Sequence, residues 1–324
     1  MVRVIHSPKM SNFINKVTPE IKRHFAGCRN IAVKLHFGEP GNKFALAPGQ
    51  VEPLTKCLRE LGFNFFLYDS SVAYGGQRGE PGTHKQSAID KGWGALGEIR
   101  TGDDCTPQKG EYMTYQVCRE LSAADGVLVV SHFKGHVCSG FGGAIKNLGM
   151  GALGKESKSA IHHGAKPFVE GECSQCGTCV DTCPVGGITL KDAPVFETCF
   201  GCSLCVELCP EDTLKVNLAY FDELLADGAA AAASTFKRAY YINYLTNIAE
   251  SCDCDPGAKL LISPDAGYVA ASDCVAVDQA SHDVVCKRAG EDVFLKHNKK
   301  SGTEQIIAAE KFGMGSAVYQ LDAV

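Results

Sequence analysis

Short apolar runs alternate with amphipathic stretches through the first half of the chain, a pattern typical of buried strands separated by helices. Four runs are predicted to be strands: Val2–Ile5, Ile31–Phe37, Phe63–Tyr68 and Gly126–Val130. Between the second and third runs, apolar residues from Val51 to Leu61 share one helical face, and Gly62 stands where a helix C-cap is expected. This order predicts a parallel sheet with right-handed crossovers, in which ligands bind beyond the carboxyl ends of the strands.

The same pattern resumes after residue 217. The predicted elements there are a helix at Leu218–Ala233, a strand at Leu260–Ser263, a helix at Val269–Ala289, a helix at Gln305–Phe312 and a strand at Ala317–Leu321. This tail alone has too few strands for a stable sheet. We therefore expect residues 1–167 and 218–324 to form a single discontinuous α/β domain, with residues 168–217 inserted into it. Two independent α/β lobes are the alternative.

Cysteine is the unusual component of the composition, with 17 residues in 324. Disulfides are not expected, because the chain is long and its polar start does not resemble an export signal. Eight of the cysteines fall in two runs, Cys173–Val185 and Cys199–Glu211, which match each other 26 residues apart. This internal duplication indicates a segment with two equivalent binding sites.

Each run has the spacing C-x2-C-x2-C-x3-C-P, which is typical of ferredoxins that bind two [4Fe–4S] clusters. In such proteins the fourth cysteine of each run ligates the other cluster. The predicted ligand sets are Cys173, Cys176, Cys179 and Cys209 for one cluster, and Cys199, Cys202, Cys205 and Cys183 for the other. The alternative is a pair of zinc sites, but zinc needs neither the third cysteine nor the repeated Cys-Pro. Residues 168–217 are thus predicted to be a ferredoxin-like module.

Charge and hydropathy limit the partners that the chain is expected to bind. The net charge of −5 gives no electrostatic reason to expect nucleic acid or an anionic membrane. No apolar run approaches the roughly 20 residues of a membrane-spanning helix. We expect a cytoplasmic protein with a redox partner protein and, in addition, a small-molecule substrate.

A loop rich in titratable residues and glycine, Ser131–Asn147, directly follows the predicted strand Gly126–Val130. At the carboxyl end of a parallel strand, such a loop favours a ligand site over an incidental polar turn. The candidate catalytic residues are His36, His132, His136, Lys146 and His162. The candidate cofactor-binding residues are Gly140, Gly142, Gly143 and Asn147.

Further polar residues stand at predicted strand ends and could share this cleft. They are Lys34, Glu39, Asp69 and Asp265, each of which alone would more simply be a capping or solvated residue. The segment Ser251-Cys252-Asp253-Cys254-Asp255 places two thiols and two carboxylates within five residues, as a metal site, a redox pair or a polar loop would.

The chain resembles the iron–sulfur branch of the domain-of-unknown-function family 362. The matching stretches are Ala32–Asn42, Ser131–Met150, the two cysteine runs and Ser272–Gln279. The last stretch lies beyond the cysteine runs, in agreement with an inserted module. The resemblance implies cluster binding and an α/β domain, and it implies no particular reaction.

A second, local resemblance is to lactate racemase-like proteins, which carry a nickel-pincer nucleotide held by a lysine and a histidine. His136, Gly142-Gly143, Lys146 and His162 follow one another in a similar order. The Ser-Phe-Gly surroundings differ, and His36 is the remaining candidate for a second catalytic histidine. The resemblance implies a related scaffold and leaves room for an additional, unidentified cofactor or metal.

Three functions follow from these patterns. The first is an oxidoreductase whose two [4Fe–4S] clusters exchange electrons with a substrate or cofactor in the α/β domain. The second is a stand-alone electron carrier that docks partner enzymes and shows no saturable small-molecule binding. The third is an isomerase or racemase with structural clusters, whose activity persists while the clusters stay oxidised.

Overall fold

A computed structural model describes residues 1–324, which form sixteen strands and twelve α-helices. The strands are β1 (Val2–Ser7), β2 (Asn30–Lys34), β3 (Asn64–Asp69), β4 (Glu98–Thr101), β5 (Cys105–Lys109), β6 (Thr114–Cys118), β7 (Gly126–His132), β8 (Lys134–His136), β9 (Gly140–Gly142), β10 (Pro167–Val169), β11 (Thr189–Leu190), β12 (Pro194–Val195), β13 (Leu214–Val216), β14 (Ala239–Leu245), β15 (Gly267–Ala271) and β16 (Tyr319–Ala323). The helices are α1 (Met10–His24), α2 (Pro48–Glu60), α3 (Pro81–Asp90), α4 (Arg119–Ser122), α5 (Ala144–Gly151), α6 (Lys155–Gly164), α7 (Thr178–Thr182), α8 (Leu204–Glu207), α9 (Phe221–Ala233), α10 (Cys274–Ala289), α11 (Val293–Asn298) and α12 (Thr303–Lys311).

Eight strands form one sheet in the order β16-β1-β15-β14-β7-β2-β3-β4. Neighbouring strands are parallel except where β15 pairs with β1 and with β14, to both of which it runs antiparallel. The predicted α/β class with a mainly parallel sheet is therefore confirmed. Strands from both sides of residues 168–217 belong to this sheet, since β14 pairs directly with β7.

The centre of the sheet is buried on both faces, which explains the continuous apolar run in β7. All seven residues of β7 are buried. Successive side chains alternate between the two faces: Val127 and Val129 belong to one hydrophobic cluster, whereas Leu128 and Val130 belong to the other. The two faces thus carry two separate cores.

Helices cover both faces of the sheet. The smaller core of 24 residues receives Phe13, Val17 and Ile21 from α1, which recur every four residues on one helical face. The larger core of 47 residues receives apolar side chains from α5, α9, α10 and α12. None of the twelve helices is long and apolar enough to cross a membrane.

Residues 168–217 do not contribute to the large sheet. Their first and last segments pair antiparallel as β10 and β13, and β11 pairs with β12 in a small hairpin. A separate hydrophobic cluster fills this segment, with Ile188, Val206 and Leu214 among its buried members. The segment therefore has a core of its own, and the pairing of β10 with β13 brings its two ends together.

Several predicted elements need correction in the second half of the chain. Leu260–Ser263 was expected to be a strand, but it makes only one isolated bridge, between Leu261 and Ala249. The predicted helix Val269–Ala289 begins with strand β15, and its helical part is α10. Strand β14 was not predicted at all.

Candidate functional site

Four neighbouring parallel strands end at one large cavity of about 860 Å3. Lys34 is the last residue of β2, Asp69 the last of β3, and His132 the last of β7, and all three line the cavity. The loop after β14 adds Cys252 and Cys254 to its wall. The cavity therefore lies where an open α/β sheet is expected to bind ligands.

The structure brings all five candidate catalytic residues together in this cavity. They are His36, His132, His136, Lys146 and His162, and the candidate cofactor-binding residue Asn147 lines the cavity with them. Of the additional strand-end residues, Lys34 and Asp69 line it, and Glu39 reaches its Arg78 at 3.2 Å. Asp265 lies elsewhere, where its carboxylate accepts a hydrogen bond from the backbone N–H of Asn247 at 2.8 Å.

The three candidate cofactor-binding glycines do not line the cavity, and two of them are required for close packing. A Cβ atom on Gly140, whose φ is +72°, would lie 2.5 Å from the backbone of Lys300. A Cβ atom on Gly143 would lie 2.4 Å from a carboxylate oxygen of Asp278. Gly142 has ordinary space around it, with the nearest side chain 3.6 Å away.

A buried charge network forms one wall of the cavity. The Asp69 carboxylate accepts hydrogen bonds from Lys34 Nζ at 3.1 Å and from Arg78 NH2 at 3.0 Å, and all three side chains are at most 2% exposed. Burial alone would raise the pKa of Asp69, but Lys34, His84 and Arg78 hold it well below the ordinary value. Lys34 Nζ also donates to Asn147 Oδ1 at 2.8 Å, so the network reaches helix α5.

The lining carries more positive than negative side chains. Six are basic and three are acidic: Lys34, Arg78, Lys134, Lys146, Lys158 and Lys166 against Asp69, Glu250 and Asp255. The whole chain has a net charge of −5, so this concentration of cations is local. A cavity of this kind attracts anionic ligands.

Two buried ammonium groups in the lining have no carboxylate partner. Lys158 Nζ donates to Ser70 Oγ at 2.7 Å and to the backbone oxygen of Ser71, and burial lowers the pKa of Lys158 to about 8. Lys146 Nζ donates to Cys252 Sγ at 3.2 Å. Because a buried cation is costly unless a negative group compensates it, Lys158 is suited to hold an anion, whereas Lys146 already lies beside the sulfur of Cys252.

Three histidines of the lining are neutral near pH 7. Burial and Arg78 lower the pKa of His36 far below its usual value, and burial lowers the pKa of His136 to about 4. Burial also lowers the pKa of His162. Nδ1 of His36 accepts from the backbone N–H of Gly38 at 2.9 Å, which leaves Nε2 as the protonated nitrogen.

A fourth histidine of the lining, His132, is held on both sides of its ring. Nδ1 lies 2.6 Å from Asp253 Oδ1, and Nε2 lies 2.7 Å from the backbone oxygen of Thr246. Lys134 Nζ approaches the other oxygen of Asp253 at 3.3 Å. These buried contacts anchor the middle of the Cys252–Cys254 segment and position His132 as a structural partner.

Two smaller cavities in residues 168–217 are lined by the two sets of cysteines that the sequence spacing predicts. The first is lined by Cys173, Cys176, Cys179 and Cys209. The second is lined by Cys183, Cys199, Cys202 and Cys205, with Cys138 from the large domain beside them. In each cavity the fourth cysteine comes from the other half of the repeat, as it does in two-cluster ferredoxins.

The two halves of the repeat also share a backbone conformation. Gln175 and Gly201 occupy equivalent positions, with φ values of 60° and 71°, and the following pair Gly177 and Ser203 has 82° and 64°. Each half donates a backbone N–H to its first cysteine: Gln175 to Cys173 Sγ at 3.4 Å and Gly201 to Cys199 Sγ at 3.2 Å. N–H groups directed at sulfur are a means by which proteins stabilise iron–sulfur clusters, so these residues fit such a group.

A further group of potential metal ligands lies outside the large cavity. His282, Cys286 and Asp292 place their ligand atoms within 4.8 Å of one another, with His282 buried. Although burial opposes it, Asp283, Cys286 and Asp292 raise the pKa of His282 to about 10. Asp292 also caps α11 by accepting from the N–H groups of Phe294 and Leu295.

Sequence reasoning missed three basic residues of the cavity, Arg78, Lys158 and Lys166. Arg78 comes from the loop between β3 and α3. Lys158 comes from α6, where it is buried although a lysine is expected on the exposed, polar face of a helix. The Gly-rich composition around Arg78 resembles a solvent-exposed loop. Only its buried pairing with Asp69 reveals its position.

Together these features define a class: an α/β protein with a mainly parallel sheet, a cation-rich cleft at the strand ends and an adjoining cysteine-rich segment. The chain belongs to the DUF362 family, a domain of unknown function, whose family model matches residues 31–283. None of the curated protein sequences compared with the chain is significantly similar to it.

Two solved structures are distantly similar to this fold. One is the lactate racemase apoprotein from Thermoanaerobacterium thermosaccharolyticum, with 11% identity and a TM-score of 0.39, covering 75% of this chain and 50% of that chain. The other is a protein from Thermotoga maritima, with 7% identity and a TM-score of 0.42, covering 94% of this chain and 60% of that chain. This chain thus matches well under two thirds of either protein, and likenesses at this level say nothing about function.

Proposed function

We propose that the protein is an iron–sulfur oxidoreductase that exchanges electrons with an anionic small molecule bound in the cleft. The observation that carries this proposal is the contact between two cavities. Cys199 and Phe200 line both the second cysteine cavity and the large cleft, as do Val137, Cys138 and Val185. An electron-transfer group held by the second cysteine set would therefore border the bound molecule directly.

The eight cysteines would hold two [4Fe–4S] clusters, which supply electrons one at a time. The remaining chemistry belongs to the side chains of the cleft. Lys158 would bind the negative groups of the substrate, because its partners are a hydroxyl and a backbone oxygen, and Lys146 would add its positive charge on the side of Cys252. The fixed network of Lys34, Asp69 and Arg78 would set the orientation of the substrate.

The neutral histidines would move the protons that accompany reduction. His36 carries its proton on Nε2, because its Nδ1 accepts from Gly38 N–H, so Nε2 can donate a hydrogen bond to the substrate. Nδ1 of His162 donates to the backbone oxygen of Phe200 at 2.7 Å, which leaves a lone pair on Nε2 as an acceptor. One donor and one acceptor in the same cavity suit general acid–base catalysis.

A redox partner protein would reach the first cysteine set from the surface. Cys176 is exposed, and Leu190 and Pro194 line the same small cavity, with Leu190 and the neighbouring Val195 also exposed. An apolar rim beside an exposed electron-transfer site suits a transient protein contact. The second set, next to the cleft, is more enclosed, because none of its four cysteines is exposed.

The first experiment is purification without oxygen followed by metal and sulfide analysis. We expect about eight irons and about eight sulfides per chain. The double variant C199S/C202S should lose about half of the iron, and Cys57→Ser, a buried thiol on α2, serves as the matched control with full iron content. Zinc in place of iron would refute the proposal.

The second experiment separates an oxidoreductase from a stand-alone carrier. The reduced protein is mixed with a panel of small anionic oxidants, and reoxidation is followed by absorbance. We expect saturation kinetics with at least one compound, and a weaker apparent affinity in K146M/K158M than in the exposed-lysine control K56M. Reoxidation at equal, unsaturable rates in all three proteins would identify a carrier.

A further inference from the structure

The loop after β14 places two thiols on the wall of the cleft, separated by one residue. Cys252 is 5% exposed, and Cys254 is partly exposed. Neither belongs to the two cysteine sets of residues 168–217, and the proposed electron transfer does not use them. Both nevertheless line the ligand cavity, where a bound substrate can reach them.

The loop is fixed from both sides. The backbone oxygen of Asp253 accepts from Glu39 N–H at 2.9 Å, and Asn42 Nδ2 donates to the backbone oxygen of Asp255 at 2.7 Å. The Asp253 side chain points away from the two thiols toward His132 and Lys134. This arrangement leaves the thiols of Cys252 and Cys254 side by side, with no carboxylate between them.

Cys252 is surrounded by hydrogen-bond donors. Lys146 Nζ donates to its sulfur at 3.2 Å, and the backbone N–H of Cys254 lies 3.5 Å from the same atom. The hydrogen bond from the Cys254 thiol, and then Lys146, hold the pKa of Cys252 well below the ordinary value in spite of burial. The Cys254 thiol has a raised pKa and keeps its proton.

We propose that Cys252 and Cys254 form a redox-active pair that cycles between a dithiol and a disulfide in the cleft. A metal site is the less suitable use of these thiols. The ammonium group of Lys146 already compensates the thiolate and would repel a cation, and the pair offers only two ligands instead of the four of a closed thiolate site.

The natural co-reactant of such a pair is a small disulfide that carries negative charge. Cys252 Sγ attacks one sulfur of that disulfide, which breaks its S–S bond, forms a mixed disulfide and releases the first thiolate. The Cys254 thiol then gives its proton to that thiolate and attacks Cys252 Sγ, which releases the second thiolate. The substrate has gained two electrons, and the protein has lost two in forming the Cys252–Cys254 disulfide.

The Cys252 thiolate and the Cys254 thiol are restored when an external reductant returns two electrons and one proton. A dithiol can supply both electrons by thiol–disulfide exchange, and two one-electron donors can supply them one after the other. This proposal rests on the proposed function in one respect, since the disulfide substrate would bind in the same cleft. The thiol chemistry itself can be measured without any activity of the clusters. Failure of one proposal is therefore distinguishable from failure of the other through the iron content.

The sequence offers a direct assay. Cleavage after Arg238 and Lys259 gives one tryptic peptide in which Cys252 and Cys254 are the only cysteines. The protein is equilibrated without oxygen in dithiol–disulfide buffers of stepped potential, alkylated with iodoacetamide, digested and analysed by mass spectrometry. We expect the unalkylated peptide, lighter by two hydrogens than the dithiol, to appear reversibly along a two-electron titration curve.

Alkylation kinetics test the role of Cys252. Cys28 is the matched control, a partly exposed thiol whose pKa is raised by burial and which lies alone on its tryptic peptide. At pH 7 we expect Cys252 to react at least about tenfold faster than Cys28, because the thiolate is the reactive form. Lys146→Met should reduce this advantage, and Cys254→Ser, whose hydroxyl can still donate to Cys252, should abolish the disulfide while Cys252 remains reactive.

Charge selectivity tests the substrate class. The anionic disulfide dithiobis(nitrobenzoate) and the cationic disulfide cystamine are compared, each rate being divided by its rate with the denatured chain. We expect the anionic disulfide to oxidise the peptide at least about tenfold faster after this normalisation. A peptide that stays reduced at every potential, equal reactivity of Cys252 and Cys28, or a metal ion that is lost in Cys252→Ser would each overturn the proposal.

Discussion

The buried network around Asp69 allows a prediction whose magnitude follows from the structure. Asp69→Asn keeps the size of the side chain but removes the carboxylate paired with Lys34 and one of the two paired with Arg78, and both basic side chains are at most 2% exposed. Breaking a buried pair in this way costs about 3–5 kcal/mol, since it leaves uncompensated charge in the interior. The folded chain cannot relieve this cost with water while the cleft wall stays packed.

The expected loss can be converted into a melting temperature. Unfolding entropies of about 2.1 cal/mol/K per residue give roughly 0.7 kcal/mol/K for this chain, so the midpoint should fall by about 4–7 °C. The assay is thermal unfolding followed by circular dichroism under argon. Lys56→Met is the control: Lys56 lies 3.9 Å from Glu60 and both are largely exposed, so this variant should shift the midpoint by about 1 °C or less. Equal shifts in the two variants would refute the reasoning.

The same pair of proteins gives a second check through pH. The folded pKa of Asp69 lies well below the ordinary value of an unfolded aspartate, about 3.9. Its stabilising contribution is therefore fully present above about pH 5 and is lost as the pH falls toward the folded pKa. The difference in midpoint between the wild type and Asp69→Asn should be constant near neutrality and should shrink below about pH 4.

Two further predictions concern the cysteine segment and the cleft. Gly201→Ala should lower the iron content toward about four per chain. The new Cβ would lie 2.2 Å from the backbone oxygen of His162, at a residue with a φ of +71°. Gly171→Ala is the control and should keep its iron, because Gly171 also has a positive φ, +86°, but no atom lies within 4 Å of the added Cβ. In the wild-type protein, sulfate binding measured by calorimetry should weaken as the pH rises through about 8, where Lys158 loses its proton. The variant Lys158→Met should lack this pH dependence and should bind sulfate more weakly, by about tenfold or more, at pH 7. Unchanged iron in Gly201→Ala, or an unchanged pH profile in Lys158→Met, would contradict the respective argument.

The four strands predicted in the first half of the chain are recognisable because each is a compact apolar run, unlike the more polar β4, β5 and β6. Ile31–Phe37 and Gly126–Val130 are buried on both faces and leave a continuous apolar signal. Strand β14, Ala239–Leu245, carries three tyrosines and a buried asparagine, Asn243, whose amide donates to Asp278 at 2.7 Å. That tertiary partner makes a polar residue acceptable in the core, and no local pattern reveals it.

Strand β15 was missed for a different reason. Its residues continue into helix α10 without a turn signal of glycine or proline, so the whole run has the appearance of one helix. The signal that divides them is Asp273, whose side chain accepts from Ala276 N–H at 2.8 Å as an N-cap. Conversely, Leu260 and Leu261 suggested a strand but are 49% and 45% exposed, which shows that two apolar residues in sequence do not ensure burial.

The location of the cleft was predictable, but its charge was not. Strand-end positions identify Lys34, Asp69 and His132 because parallel strands direct their carboxyl ends to one edge. Lys158 and Arg78 reach the cleft from a helix and a loop whose sequences give no sign of burial. The function of the cleft thus depends on residues that only the three-dimensional packing reveals.

The second cysteine set is held beside the cleft by direct contacts, and this matters for any electron-transfer role. Ser203 Oγ donates to the backbone oxygen of Ala165 and accepts from Phe221 N–H, each at 3.2 Å, which joins the segment to the residues that follow α6 and to the start of α9. Lys300 Nζ contacts Glu207 at 3.0 Å and is also paired with buried Asp222. These contacts are buried or partly buried, and they come from three separate parts of the large domain. They hold the segment against the large domain, unlike a module joined to it only by flexible linkers. Such fixed placement favours electron exchange within the chain, at the cleft, over a role confined to shuttling between partners.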